Sequence, residues 1–174
     1  MNVLNVSWGS GHQGTVTDGQ DAFPASFGRA GVTEDKREGD HATPLGSFRL
    51  RSCYWRADRV DRPRTGLPTI PITQDLGWCD DPGHALYNRP VRLPFPARHE
   101  RMARDDRAYD LVVVLDQNMA PARPGAGSAV FWHLTKQDGV LDPTEGCVAV
   151  TPDAMRRLLV PCDARTILRI ERAS

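Results

Sequence analysis

The segment from Ala129 to Val150 carries a histidine and a cysteine that are fourteen residues apart. His133 lies near the end of one apolar run, and Cys147 follows a Thr-Glu-Gly turn and precedes a second apolar run. A cysteine thiolate is a nucleophile, and an imidazole can take and return a proton near neutral pH. If the two runs are neighbouring strands, the pattern predicts cysteine-dependent acyl transfer or hydrolysis on a peptide-like substrate.

The residues around Cys147 favour a nucleophile. Gly146 allows a tight turn, and backbone N–H groups in such a turn can hold an oxyanion. A helix is predicted to begin after Thr151 as N-cap, and a helix N-terminus nearby favours a thiolate. The alternative is that Cys147 is a small buried apolar residue, as many cysteines are. Its combination with Gly146 and His133 favours the nucleophile.

A base at His133 needs an acceptor for its other ring nitrogen, and the backbone carbonyl of Leu134 is the simplest candidate. A histidine at the end of an apolar strand can equally be a hydrogen-bonded core residue. Glu145 could contact a substrate amine. The alternative is a solvated turn residue, which is favoured because a carboxylate close to Cys147 would oppose thiolate formation. Thr144 either contacts substrate or bonds within its own turn.

A metal site is the main competing chemistry for His133 and Cys147. Structural zinc sites usually pair their ligands at a spacing of about two to four residues. The four cysteines contain no such pair, so we predict no metal site. The residues that could have completed a site are Cys79, His84, His41, Asp80 and Asp81.

Composition excludes several classes. The 174 residues include 22 basic and 22 acidic ones, so net charge gives no indication of nucleic-acid binding. No apolar run reaches the roughly 18 residues of a membrane-spanning helix. The N-terminal residues lack the basic start and apolar stretch of a secretory signal, so the sequence leaves three alternatives: a cytoplasmic protein, export by another route, or a trimmed or mis-started chain. Gly 15 and Pro 14 favour a loop-rich β fold.

Periodicity predicts a mainly β, single domain over residues 1–174, with about seven or more strands and one or two short helices. The clearest strands are Gly46–Tyr54, with period two, and the apolar Tyr109–Leu115. One helix is predicted from Pro152 to Leu159, and a second over His99–Arg107. The proline-rich residues 80–96 are predicted to be a long ordered loop.

Taken together, these residues resemble the catalytic domain of the L,D-transpeptidase (YkuD) family. That family has a histidine, a gap of about fifteen residues and a Ser/Thr-x-Gly-Cys turn, which correspond here to His133 and 144–147. It also has a Gly-Asp-x-x-Thr-Pro-x-Gly-x-Phe block, which stands here at 39–48. The two blocks occur in the family's order, and the similarity runs from about Gly39 to Leu159.

The resemblance implies a β-sandwich-like fold with the cysteine at a groove, and acyl transfer between peptidoglycan stem peptides. Cys147 would attack the carbonyl of an L,D-peptide bond, and His133 would act as base and then as acid. The Leu134 carbonyl would orient the imidazole, and the amides of Gly146 and Cys147 would hold the oxyanion. The resemblance also implies a cell-envelope location, covalent inhibition by carbapenems, and no metal or organic cofactor.

Two positions depart from the family pattern. Many members have a histidine where this chain has Glu145, and an arginine where it has Ala149. Substrate and acceptor preferences are therefore left open. The segment from 77 to 88 resembles a groove loop of one branch of the family, and its cleft-lining residues are predicted to be Trp78, Asp81, Tyr87 and Asn88. For Trp78 and Tyr87, structural packing is the alternative.

Three functions remain for such a chain. The first is an L,D-transpeptidase that uses a thioester intermediate. The second is a related thiol hydrolase, an L,D-carboxypeptidase or amide hydrolase, in which water replaces the acceptor amine. The third is a non-catalytic envelope-binding module, which has no need of a nucleophile and is therefore disfavoured by the pairing of His133 with Cys147.

Overall fold

The structure is a computed structural model that describes residues 2–173. Within that range it contains fourteen strands and one helix. They are β1 Val3–Ser10, β2 Gln13–Thr17, β3 Ala22–Ser26, β4 Val32–Thr33, β5 Thr43–Pro44, β6 Gly46–Trp55, β7 Thr69–Pro71, β8 Leu76–Cys79, β9 Pro90–Arg92, β10 His99–Arg101, β11 Leu111–Leu115, β12 Phe131–Leu134, β13 Val148–Val150, α1 Pro152–Leu159 and β14 Ile167–Arg172.

Nine of the strands form one sheet in the order β11-β12-β13-β3-β2-β1-β14-β6-β7. The long strand β6 also pairs with β11, so the sheet closes on itself. The first part of β6 pairs with β14, and the second part pairs with β11 and β7. Opposite walls of the closed sheet face one core, which confirms the mainly β prediction. That the chain is one domain stays a prediction.

The predicted helix after Thr151 is confirmed. The Thr151 side chain accepts a hydrogen bond from the N–H of Ala154, and Pro152 stands at the start of α1, where its missing N–H costs nothing. Met155 and Leu158 are fully buried and pack into the main core. The helix therefore follows directly from β13 and anchors the end of that strand.

The predicted helix over His99–Arg107 is wrong. His99–Arg101 instead form β10, which pairs with β8 in a small second sheet, β10-β8-β9. Arg104 binds Asp106 through two of its nitrogens, and Asp106 accepts the N–H of Ala108, so the charged residues fold a turn. Such local bonds from an aspartate compete with helix formation. The predicted loop 80–96 likewise contains the short strand β9.

The parallel pair β12–β13 is the part of the fold that positions the candidate site. In its register Trp132 pairs with Val148 and Leu134 with Val150, and all four lie in the main core. Because strand side chains alternate between faces, His133 and Ala149 point to the opposite side. Residues on that side belong to a second buried cluster, which includes Phe131, Trp78, Tyr109 and Cys147.

Candidate functional site

A cavity of about 370 Å³ opens on the second face of β12 and β13. Cys147 and His133 both line it, and each is more than nine-tenths buried. The remaining wall comes mainly from residues within the loop 36–41, within 99–109, within 128–136 and within 142–146, together with Asp80 and Ala149; Arg37 does not line it. Four stretches that are distant in the sequence therefore meet around the predicted nucleophile and base.

Backbone groups hold the sulfur of Cys147 in place. The N–H of Phe131 donates to Sγ at 3.3 Å, and the thiol donates to the carbonyl of Ala129 at 3.3 Å. Burial raises the pKa of the thiol to about 12, and the hydrogen bond from Phe131 only partly opposes this. The residue at rest is therefore a neutral thiol, not a thiolate.

The imidazole of His133 has a fixed tautomer. Its Nδ1 lies 2.7 Å from the carbonyl oxygen of Leu134, and because that oxygen can only accept, Nδ1 carries the proton. Nε2 is then left with the lone pair that a base needs. Burial lowers the pKa of His133 to about 4, against the opposing effect of the Leu134 hydrogen bond. The contact predicted between these two residues is present.

The turn before the nucleophile uses one of the amides predicted for the oxyanion. Gly146 N–H donates to Thr144 Oγ1 at 3.1 Å, and that hydroxyl donates to the Cys147 carbonyl at 2.7 Å. Thr43 Oγ1 donates to the same carbonyl at 3.1 Å. The Gly146 amide is therefore occupied, contrary to the expectation from the family. Among the described residues, the Cys147 N–H has no acceptor.

The loop 36–41 also contributes to the site, although its sequence, which overlaps the Gly-Asp-x-x-Thr-Pro block, did not predict this. Lys36 lines the cavity and forms an ion pair with Asp40, and its side chain is only 9% exposed. Glu38 accepts hydrogen bonds from Tyr87 and from Ser128. The loop is thus attached to the segment that leads into β12.

A second charged group that the sequence analysis missed forms the opposite wall. Tyr109 donates its hydroxyl to Glu100 at 2.7 Å, and its ring lies 5.4 Å from that of His133. Arg104 stacks over the Tyr109 ring at 5.1 Å. Burial raises the pKa of both Glu100 and Tyr109. Sequence alone gave no signal here, because these residues are brought together by the turn that replaces the predicted helix.

Glu145 is an exposed residue at the cavity mouth. Its carboxylate contacts Arg29 and lies 2.6 Å from Nδ1 of His41. Ala149, at the position of the family's arginine, is buried and brings no charge to the cavity. Both departures from the family pattern therefore change the charges around the nucleophile.

The four residues predicted to line the cleft lie behind its wall. Trp78 is buried and donates its indole N–H to Asn88 at 3.0 Å, and the same Asn88 oxygen accepts the N–H of Ala129 at 3.0 Å. Ala129 in turn holds the thiol. Tyr87 contacts Glu38, and Asp81 accepts the N–H of Gly83 in a surface turn. None of the four lines the cavity; Asn88, with Trp78, and Tyr87 support it through Ala129 and Glu38, whereas the hydrogen bond of Asp81 is local to its own turn.

Over residues 2–173, no three histidine, cysteine or acidic side chains converge as a metal site would require. The four cysteines are all free and buried. Across the same range, no helix combines the length and the apolar character that a membrane span would need.

The family model of the L,D-transpeptidase catalytic domain (YkuD) matches residues 7–170. No curated protein sequence matches the chain. Among solved structures it is similar to the helical cell shape determining protein Pgp2 from Campylobacter jejuni and to a lysine-to-alanine mutant of that protein, both at 16% identity. The TM-scores are 0.47 and 0.46, and 99% of this chain is covered in each case. The chain spans about half the length of those proteins, 49% and 48%.

Proposed function

This chain belongs to the L,D-transpeptidase catalytic domain family, and on that premise we propose that it is a cysteine acyltransferase acting on peptidoglycan stem peptides. The donor is a stem peptide with an L,D-peptide bond, and the acceptor is an amine of a second stem. No metal or organic cofactor takes part. The place of action that goes with this substrate is the cell envelope.

One observation carries the proposal. The sulfur of Cys147 is held at the cavity wall by Phe131 and Ala129, on the same face of the β12–β13 pair as His133. The base has its tautomer set by Leu134. A non-catalytic binding module needs none of these arrangements, whereas thiol catalysis needs all of them.

The reaction begins from two neutral groups. When Sγ of Cys147 attacks the carbonyl carbon, a C–S bond forms, the carbonyl electrons move to oxygen, and the thiol proton passes to Nε2 of His133. Collapse of the tetrahedral intermediate breaks the C–N bond, and His133 returns the proton to the leaving amine of the D-residue. The acceptor amine then attacks the thioester, a new C–N bond forms, and His133 takes the proton of the amine. Collapse of this second intermediate breaks the C–S bond, and His133 returns the proton to the sulfur, which regenerates the thiol.

The neutral resting state determines the type of catalysis. Burial raises the pKa of Cys147 to about 12 and lowers that of His133 to about 4, so a preformed thiolate–imidazolium pair is disfavoured. Proton transfer therefore accompanies the attack on substrate, which is general base catalysis. A neutral thiol is also protected from non-specific oxidation and alkylation.

The charges of the cavity bear on substrate choice. In the absence of an arginine at Ala149, the cations that line the cavity are Lys36, Arg104 and Lys136, apart from histidines. Stem peptides carry free carboxylates, and these cations are the groups that can meet them. Glu145, paired with Arg29 and His41, offers its carboxylate at the mouth to an incoming amine.

The test is a tetrapeptide stem incubated with purified protein and an excess of a D-amino acid, with products identified by mass. Exchange of the terminal D-residue in wild type, and none in Cys147→Ala, is the expected result. Release of tripeptide alone, even with excess amine, would assign the hydrolase instead. Absence of every product with Cys147 reduced and the protein folded would overturn the proposal. A carbapenem adduct on wild type that is missing from Cys147→Ala gives independent support for an activated thiol.

A further inference from the structure

We infer that Lys36 is a catalytic residue whose ammonium group binds the oxyanion formed when Cys147 attacks its substrate. This inference rests on the proposed function, because it concerns the tetrahedral intermediate of that reaction. It assigns a role to a residue outside the His/Gly-Cys motif, in a loop more than a hundred positions before Cys147 along the chain.

The position of Lys36 is set by two glycines. A Cβ placed on Gly127 would lie 2.8 Å from Cγ of Lys36, so only glycine leaves room for the lysine stem to cross at that point. A Cβ placed on Gly146 would lie 3.1 Å from Nζ of Lys36. Both glycines have positive φ, 89° and 131°, which L side chains rarely adopt. The ammonium group therefore lies against the turn that presents Cys147.

The turn itself is short of donors. The Gly146 N–H is bonded to Thr144, which leaves the Cys147 N–H as the backbone donor with no acceptor among the described residues. Oxyanion sites commonly combine two donors, and the loss of one is costly. The ammonium group of Lys36 lies beside Gly146 in this turn and can supply the second donor.

The chemistry of an ammonium group suits this role. It carries three N–H donors, and the ion pair with Asp40 uses one of them. Asp40 is itself fixed by the N–H groups of Arg37 and Ala42 at 2.8 and 2.9 Å. Lys36 is thus held in advance, with donors to spare, in a side chain that is 9% exposed.

Lysine is rare in this chain, which also draws attention to Lys36. The sequence has 20 arginines and two lysines, Lys36 and Lys136, and both lysines line the cavity. A lysine offers a compact point charge on a flexible stem, whereas an arginine offers a planar fork that fits a carboxylate. Lysine is the better fit here, because the negative charge develops on a single oxygen atom next to a crowded turn.

In the reaction, the carbonyl electron pair moves to oxygen as the C–S bond forms, and the ammonium of Lys36 and the Cys147 N–H both donate to that oxygen. The thiol proton goes to His133, so Lys36 stays protonated throughout. When the C–N bond breaks, the electrons return to the carbonyl and the two donors are released. The same cycle repeats when the thioester is resolved.

The experiment compares Lys36→Met with wild type in the tetrapeptide exchange reaction. Lys36→Met keeps the length and apolar stem of the side chain and removes only the ammonium. We expect kcat to fall by about 10²–10³-fold with KM changed far less, because the lost interaction exists only in the transition state. Arg37→Met is the matched control, since it removes a charge from the neighbouring, largely exposed side chain of the same loop and should retain activity.

A double variant distinguishes a structural role of Lys36 from its role in binding the oxyanion. Lys36→Met leaves Asp40 without its ion-pair partner, whereas Lys36→Met combined with Asp40→Asn removes both charges together. If Lys36 only stabilises the loop, the double variant will recover both thermal stability and activity, which overturns the inference. If it binds the oxyanion, stability recovers and kcat stays low.

Alkylation of Cys147 by iodoacetamide shows whether Lys36 stabilises the oxyanion or the thiolate. This reaction needs the sulfur nucleophile but forms no oxyanion. We expect Lys36→Met to slow alkylation by less than tenfold while acyl transfer falls far more. Equal losses in both reactions would overturn the inference, since Lys36 would then act on the sulfur. A wild-type protein with no exchange activity would defeat the proposed function, whereas an active wild type with an equally active Lys36→Met would defeat this inference alone.

Discussion

Cys147 and Cys162 are two buried thiols in very different surroundings. Burial raises the pKa of each to about 12, and each thiol donates to a backbone carbonyl, that of Ala129 at 3.3 Å and that of Leu158 at 3.0 Å. Cys162 lies in the apolar core after α1, whereas Cys147 borders a cavity. A raised thiol pKa therefore reports only that a cysteine is buried. A candidate nucleophile is recognised by a cavity and a base next to its sulfur, which Cys147 has and Cys162 lacks.

The strongest test of this comparison is to truncate each thiol in turn. Cys147→Ala is expected to abolish both acyl transfer and the carbapenem adduct, because no other side chain at the cavity can form the thioester. Cys162→Ala is expected to keep activity and to lower the free energy of unfolding by about 1–2 kcal/mol through lost core packing. Product analysis and denaturant titration measure the two effects. A folded Cys162→Ala protein without activity would contradict the distinction.

The next test removes His133, the proposed base, which lines the same cavity as Cys147. His133→Gln is expected to lower kcat by about 10²–10⁴-fold, because no group remains to take the thiol proton during attack. His84→Gln, outside the cavity wall, is the matched control and should behave like wild type. Steady-state turnover with a melting curve for each variant provides the measurement. Equal activities of His133→Gln and wild type would remove His133 from the mechanism.

The buried imidazole also predicts how stability depends on pH. Its pKa is lowered to about 4, so between pH 6.5 and pH 4 the unfolded chain takes up a proton that the folded protein refuses. The folded state therefore loses about 3 kcal/mol as pH falls through this window, and nothing above it. Denaturant titrations of wild type and His133→Gln at several pH values isolate the effect as a difference. Parallel curves for the two proteins would show that the imidazole is not held neutral by burial.

The smallest expected effect concerns thiol reactivity. Because both pKa values lie near 12, alkylation of either residue should speed up about tenfold per pH unit between pH 7 and pH 9, without a plateau. Cys147 should still react before Cys162, since its sulfur borders the cavity and Cys162 is sealed in the core. Peptide mapping after timed treatment with iodoacetamide gives both rates. A plateau at neutral pH for Cys147 would indicate a preformed thiolate.

The sequence was most informative where local pattern and chemistry coincide. The apolar runs on either side of residues 135–146 predict adjacent strands, and their pairing brings His133 and Cys147 to one face. The contact between His133 and the Leu134 carbonyl needs only neighbouring residues, so it could be anticipated. The catalytic roles of these residues stay predictions until activity is measured.

The sequence was least informative where distant segments meet. Lys36 and Glu100 reach the cavity only because the closed sheet and the small second sheet bring their loops to it. For Thr144 the sequence offered two alternatives, contact with substrate or a bond within its own turn, and only the structure shows that its hydroxyl accepts the Gly146 N–H. Trp78 and Asn88 were predicted to line the cleft, but their hydrogen bond and burial place them behind it. Turn bonds around Asp106 replaced the predicted helix for the same reason, since side-chain to backbone bonds are invisible to periodicity.

The register between β12 and β13 has a consequence for how such a protein can diversify. A slip of β12 by one position would turn Trp132 away from the main core and carry the imidazole of His133 into it, so the packing of the core fixes the direction in which His133 points. Substitutions that keep the core well packed therefore also keep His133 and Cys147 on the same face of the β12–β13 pair. Glu145, by contrast, is an exposed turn residue at the cavity mouth, so substitutions there can change substrate preference without disturbing the β12–β13 pairing.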